Sequence, residues 1–149
     1  MNLDEYSALL GKCWAKYNSL ETIIRVYLMK YHKQSENGIN EIEGESCQET
    51  YLTNYMTFGQ LLFEYNSIAP KGFEIDKGDS ILRFRDSMAH GRVITLNGIP
   101  LTVHKYSKPK AGYVTLEIKQ LLSEEYLNQI GQKLFFSDEM VRKAVSLLK

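Results

Sequence analysis

The sequence has few of the residues, and none of the runs, that mark secreted, metal-binding or membrane-spanning proteins. Its two cysteines, Cys13 and Cys47, form no CxxC pair, so neither a disulfide framework nor a zinc site is indicated. No apolar run approaches the ~18 residues of a membrane helix, and the N-terminus lacks a basic region followed by an apolar one. We therefore expect a soluble, cytoplasmic protein with no membrane association, no metal and no cofactor.

A net charge of one sign is also absent, because 18 Lys and Arg balance 18 Asp and Glu among the 149 residues. The charges are unevenly distributed. The stretch 34–49 contains five glutamates and no Lys or Arg, which predicts an exposed, mobile acidic loop. Between Arg83 and Lys119, seven Lys and Arg accompany only Asp86 and Glu117. Such a basic stretch suits phosphate binding, although a solvated surface has the same composition.

Apolar periodicity predicts a mainly helical chain with a single domain over 1–149. Helices are predicted over Leu3 to about His32, over Tyr51–Asn66, from about Lys77, and over Glu124–Leu148. Thr57 and Gln60 can form a capping box at the start of the regular part of the second helix. Ser137 is a candidate N-cap that would restart the last helix.

After Gly91 the pattern changes from helical to alternating, which predicts an antiparallel β-meander over about 92–118. Its strands are predicted at Arg92–Leu96, Ile99–Tyr106 and Tyr113–Ile118. Asn97-Gly98 is a preferred dipeptide of type I′ hairpin turns, and residues 108–112 supply the second turn. The predicted fold is therefore mainly α, a bundle of four to five helices with a small meander before the last helix.

The segment Leu82–Arg92 contains three arginines, one aspartate and one histidine near a predicted helix end, and Gly91 occupies the position of a C′ glycine. On a helix at ~100° per residue, Arg83, Asp86 and His90 share one face. The opposite arc is expected to face the core, and it contains Ile81, Leu82, Phe84, Met88 and Ala89.

Arg85 falls in the middle of that apolar arc. A guanidinium cannot lose its charge, and an unpaired buried charge costs several kcal/mol. Arg85 should therefore meet a carboxylate from another helix, for instance Glu21 or Glu64, or face a cleft, with a subunit boundary as one place for it. The first alternative is structural and the second functional. For His90, the structural alternative is a helix C-terminal residue favoured by the helix dipole.

Arg85-Asp86-x3-His90 resembles the Arg-polar-x3-His signature of the HEPN domain family, and Arg-Asp-x-x-Ala-His-Gly is a form that many members show. The long first helix and the helix start at 57–61 fit the same family. The resemblance implies a homodimeric helical bundle in which motif helices of two subunits meet in a shared cleft. Many members are metal-independent endoribonucleases. Carried over, Arg85 and His90 are the catalytic pair, and Asp86 orients one of them.

These residue types suit RNA cleavage by attack of the 2′-hydroxyl on the adjacent phosphorus, which needs no metal. Histidine moves protons near neutral pH, and a guanidinium stabilises the charge on phosphorane oxygens. We expect His90 to be the acid or base and Arg85 the phosphate clamp, with Asp86 placed to orient His90 or Arg83. One family subtype, modified by a partner nucleotidyltransferase, carries a tyrosine two residues after the histidine, where this chain has Arg92.

The expected function is therefore that of a HEPN-type endoribonuclease, with a toxin or phage-defence effector as one setting. The expected partners are RNA, a second copy of the chain, and an antitoxin or other partner protein. The candidate RNA-binding residues are Arg83, Arg92, Lys105, Lys108 and Lys110. One alternative is a non-catalytic HEPN-like dimeric module that binds nucleotide, RNA or a partner protein. Another is a helical adaptor with no nucleic-acid role.

Overall fold

The computed structural model describes residues 1–35, 42–75, 79–95 and 98–149. Over these ranges the elements are α1 (Leu3–Tyr31), α2 (Phe58–Ile68), α3 (Asp79–His90), β1 (Arg92–Val93), β2 (Thr102–Tyr106), β3 (Leu116–Leu121) and α4 (Glu124–Ser146). The strands form one antiparallel sheet in the order β1-β2-β3. A mainly helical fold with a small meander before the last helix is thus confirmed. Within the same ranges, no helix is long and apolar enough to cross a membrane.

The chain divides into two compact units. Unit 1 consists of Met1–Tyr17 and Gly78–Phe135, and unit 2 consists of Asn18–Lys77 and Phe136–Lys149. α1 and α4 each contribute residues to both units. The expectation of a single domain stays a prediction.

In unit 1, the start of α1 is joined to one end of the β2–β3 ladder, where Thr102 pairs with Leu121. Asn2 and Glu5 cap the helix reciprocally, with N–H to side-chain oxygen distances of 3.0 and 2.9 Å. The buried Tyr6 hydroxyl donates to the carbonyl of Leu122 (2.7 Å) and accepts from the N–H of Leu101 (3.0 Å). Tyr6 therefore fixes the sheet end against α1.

In unit 2, Arg25 of α1 holds the segment before α2. Its guanidinium donates to the carbonyls of Tyr51 (2.8 Å), Asn54 (3.3 Å) and Met56 (3.0 Å), and it pairs with Glu21 at 3.2 Å. The segment consequently forms turns, and the predicted helix start at Tyr51 is wrong.

α2 begins instead at Phe58, after the predicted capping box. Thr57 Oγ1 accepts from the N–H of Gln60 (3.2 Å), and Gln60 Oε1 accepts from the N–H of Thr57 (2.9 Å). This part of the prediction is confirmed. Of the acidic loop, residues 42–49 are exposed and contain no helix or strand, whereas 36–41 lie outside the described residues. Mobility of the loop stays a prediction.

The turn between β2 and β3 lies at the position predicted from the sequence, within residues 108–113. Ala111 and Gly112 have φ of 52° and 81°, and the N–H groups of Lys110 and Tyr113 each donate to the other residue's carbonyl. The third strand, however, covers Leu116–Leu121 rather than 113–118. Asn97 of the other predicted turn lies outside the described residues.

β3 contains a bulge at Glu117. Lys105 pairs with Ile118, whereas the next residue, Tyr106, pairs with Leu116, so Glu117 is an extra residue in the ladder. The bulge matters for the site because it allows the Glu117 side chain to reach Lys105 across the sheet.

The last helix runs without a break through Ser137, so the predicted restart there is wrong. Arg142 Nε pairs with Asp138 Oδ1 at 2.5 Å, one helical turn apart. Ser19 also donates to Asp138, over 2.6 Å. Contacts of this kind support a continuous helix at the point where an N-cap was expected.

Candidate active site

The buried face of α3 differs from the predicted one. Ile81, Phe84 and Ser87 are buried, Leu82 and Met88 are half-buried, and Ala89 is exposed. Ser87 tolerates burial because its hydroxyl donates to the carbonyl of Arg83 over 2.8 Å. Arg85 therefore does not lie at the centre of the buried face. It is half-buried and lies at the edge of that face. The predictions that Ala89 faces the core and that Arg85 lies centrally in the apolar arc are wrong.

α3 ends where the chain enters the sheet, and Gly91 occupies the junction. Its N–H donates to the carbonyl of Ser87 over 2.9 Å. The Gly91 φ lies outside the left-handed region, so the C′ explanation does not apply. A Cβ at this position would instead overlap Val103 Cγ1 of β2 and the Ser87 carbonyl oxygen. Gly91 is required because helix and strand backbones approach closely here.

The three predicted catalytic residues are in contact. Arg85 Nη1 donates to Asp86 Oδ1 over 2.9 Å and lies 3.2 Å from His90 Nε2. Because a guanidinium can only donate, the second contact is a hydrogen bond when Nε2 accepts and the imidazole proton is on Nδ1. Arg85 and Asp86 side chains are 24% and 25% exposed, and His90 is exposed. The carboxylate next to Arg85 thus comes from its own helix, whereas one of the two predicted alternatives was a carboxylate from another helix.

Arg85 has a further partner in α1, the buried Tyr17. Burial lowers the pKa of the Arg85 guanidinium, but hydrogen bonds with Asp86 and Tyr17 outweigh this effect and leave the pKa above its ordinary value. Tyr17 is only 2% exposed. The guanidinium is therefore held in a defined position. Sequence reasoning did not select Tyr17, since its place in the apolar stripe of α1 is typical of a core residue.

Lys105 joins the same cluster from β2. Its Nζ lies 3.5 Å from Asp86 Oδ2 and 3.4 Å from Glu117 Oε2. Each carboxylate oxygen of Asp86 therefore binds one cation, Arg85 at Oδ1 and Lys105 at Oδ2. Of the two residues that Asp86 was predicted to orient, it contacts Arg85. A role of Lys105 in RNA binding stays a prediction.

Arg83 binds β3. Its Nε donates to Gln120 Oε1 over 2.9 Å, and its Nη2 donates to the carbonyl of Lys119 over 3.0 Å. These bonds attach the motif helix to the sheet, which is a positioning role. RNA binding by Arg83 also stays a prediction.

A cleft of about 380 Å³ opens beside His90. Its lining comprises His90, Arg92, Ile94, Tyr106, Ser107, Pro109 and Val114. Arg92 is exposed in β1, opposite His104 in the ladder. Lys108 and Lys110 are exposed on the neighbouring hairpin. The structure thus places Arg92 next to a catalytic candidate and leaves both hairpin lysines accessible.

The arrangement combines an exposed imidazole, a fixed guanidinium and an open cleft. The imidazole can accept or donate a proton, and the guanidinium can hold two oxygens of one phosphate. Within the described residues, no three His, Cys, Asp or Glu side chains are grouped to hold a metal ion.

Comparison of the chain with protein-family models, with curated proteins and with solved structures gives no match. The HEPN resemblance therefore rests on the motif and on the order of the elements.

Proposed function

We propose that this protein is a HEPN-type endoribonuclease that cleaves RNA without a metal ion. The contact between Arg85 and His90, with 3.2 Å between Nη1 and Nε2, is the observation that supports this most directly. It brings a proton carrier and a permanent positive charge within reach of one phosphate. Both are needed when a 2′-hydroxyl attacks phosphorus.

In the proposed reaction, the substrate phosphate accepts the Nη1–H of Arg85 in place of His90, which frees the Nε2 lone pair. His90 Nε2 then takes the 2′-hydroxyl proton while O2′ forms a bond to phosphorus. Arg85 donates to the non-bridging oxygens and stabilises the charge that develops on them. The bond from phosphorus to O5′ then breaks, and the leaving oxygen takes a proton from water or a second acid. The products are a 2′,3′-cyclic phosphate and a 5′-hydroxyl. Asp86, held by Lys105, keeps Arg85 in position.

A digest of single-stranded RNA by the purified protein in EDTA tests this proposal. Cleavage should persist, and the products should carry 2′,3′-cyclic phosphate or the 3′-phosphate derived from it. His90→Ala should lower the rate by about 10²- to 10⁴-fold, the usual contribution of acid–base catalysis. His32→Ala is the matched control, because His32 is exposed in unit 2 and stacks on Tyr51 at 5.2 Å. Full activity in folded His90→Ala, or cleavage of DNA, would end this proposal.

The proposal includes a homodimer, and hence the shared cleft that the resemblance implies. Partial exposure of apolar residues at the start of α1, such as Leu3 at 64%, is compatible with a second subunit there. Light scattering at tens of micromolar should give the mass of a dimer, for which we expect twofold symmetry. A monomer at that concentration contradicts this part. A toxin or defence role, an antitoxin and a cytoplasmic location belong to the proposal as its biological setting.

The second candidate is a non-catalytic dimeric module that binds nucleotide, RNA or a partner protein. The ion pairs favour it in one respect, because Arg85 and Lys105 already have a carboxylate partner in Asp86. Salt-dependent RNA binding without any cleavage, unchanged in His90→Ala, would select this candidate.

A further inference from the structure

The cleft beside His90 is lined by both apolar and polar side chains. Ile94 and Val114 line it with 44% and 53% of their surfaces exposed, while His90 and Arg92 contribute polar groups. A flat ligand with apolar faces and polar edges suits such a lining. The volume of about 380 Å³ falls in the range of ~300–1,000 Å³ that small-molecule sites occupy.

Tyr106 provides an aromatic ring that is oriented before any ligand binds. Its hydroxyl lies 3.1 Å from His104 Nδ1, and the two rings meet edge to face with centroids 6.0 Å apart. Tyr106 keeps 37% of its surface exposed. A ring held in this way loses little conformational entropy on stacking.

From these features we infer that the cleft binds one unpaired nucleobase of an RNA strand, with Tyr106 as its stacking platform and Arg92 directed to the strand's phosphate. The inference rests on the proposed function, since it supplies the substrate class for the same site. Bases in a duplex are stacked and paired, so they cannot enter such a cleft, whereas unpaired bases can. The site would therefore select single-stranded segments, and it would place the nucleotide next to His90.

Binding of single-stranded DNA tests this inference separately from catalysis, because stacking needs no 2′-hydroxyl and DNA should remain uncut. Fluorescence anisotropy would compare a labelled oligodeoxynucleotide with the same strand made abasic, with a duplex, and with free AMP as competitor. We expect the abasic strand and the duplex to bind more weakly than the intact single strand. AMP should compete only at concentrations far above the Kd of the strand.

Tyr106→Ala should weaken binding of the intact strand by about 5- to 150-fold, the usual effect of losing one stacking ring. Tyr106→Phe keeps the ring and should retain most of the affinity. Tyr113→Ala is the matched control, since Tyr113 lies on the same hairpin, is 80% exposed and does not line the cleft.

Equal affinities of Tyr106→Ala and Tyr113→Ala would overturn the inference. Equal binding of intact and abasic strands by the unmodified protein would do the same, and that comparison needs no variant to fold. AMP binding as tightly as the strand would assign the cleft to a free nucleotide and overturn the RNA assignment. If Tyr106→Ala binds the intact strand more weakly and the unmodified protein cleaves no RNA, the base-binding site is supported and the proposed ribonuclease activity is wrong.

Discussion

Replacing Gly91 by alanine should destabilise the protein through one added methyl group. The ideal Cβ would overlap both Val103 Cγ1 and the Ser87 carbonyl oxygen. The Val103 side chain is 3% exposed and has little space into which to rotate. The carbonyl belongs to the last turn of α3, so it moves only if the helix end moves. Since the Gly91 φ is not left-handed, the whole cost is steric.

Overpacking of a core usually costs about 1–3 kcal/mol. With two obstacles, one of them backbone, we expect the upper end of that range, a loss of ~3 kcal/mol in the free energy of unfolding. Gly11→Ala is the matched control. A Cβ at Gly11, inside α1, meets nothing within 4 Å, so this change should stabilise the helix by ~0.5–1 kcal/mol.

Urea denaturation followed by circular dichroism measures both variants, with the midpoint lowered in one and raised in the other at unchanged m. Val103→Ala removes one of the two obstacles. The double variant Gly91→Ala/Val103→Ala should therefore be less destabilised than the two single changes together, by a coupling of ~0.5–3 kcal/mol. Similar midpoints for Gly91→Ala and Gly11→Ala would refute the close approach of α3 and β2.

Three further predictions concern the charge network and its titration. Arg85→Lys keeps the charge but loses the planar fork, so we expect RNA cleavage at least ~10²-fold slower in a protein that still folds, measured as single-turnover rates. Asp86 and Glu117 already bind the Lys105 ammonium, so we expect it to act through Asp86 and not through RNA phosphate, unlike the expectation from sequence. Lys105→Ala should therefore slow cleavage and leave the salt dependence of RNA binding nearly unchanged, whereas Lys108→Ala should reduce the magnitude of the salt slope by ~0.7. The opposite pattern would make Lys105 the phosphate contact. A hydrogen bond to Glu64, burial and the charge of Glu64 raise the pKa of Tyr51 to about 12. The native state thus holds this proton more tightly than the unfolded chain, whose tyrosines titrate near ~10, so stability from this group is full below pH ~10 and is lost as pH rises towards 12. Urea titrations of Tyr51→Phe at successive pH values should show a smaller loss over that window, and an equal loss would contradict the shift.

The helices could be predicted from sequence wherever local chemistry determines them. Periodicity located α1 to within one residue, and Thr57 with Gln60 marked the start of α2. The error at residues 51–56 arose because Arg25, far away in sequence, binds their carbonyls. No local pattern reports such a contact.

The motif predicted that Arg85, Asp86 and His90 act together, and the structure does place them together. Helix angles alone were misleading, because they put Arg85 on the opposite side from His90. A long arginine side chain can reach along the helix to a residue at its end. Tyr17 and Lys105 come from other segments of the chain, so their part in the cluster follows only from tertiary packing.

The bulge at Glu117 has a consequence for sequence divergence. On either side of it, Lys105 pairs with Ile118 and Tyr106 pairs with Leu116. Deleting Glu117 would make these pairs consecutive, so the ladder would become regular and no side chain would change face. The change would remove only the second carboxylate from Lys105. Among relatives of this chain, a one-residue gap at position 117 is therefore the length change in β3 that we expect the sheet to accept, and it would leave Lys105 bound to Asp86 alone.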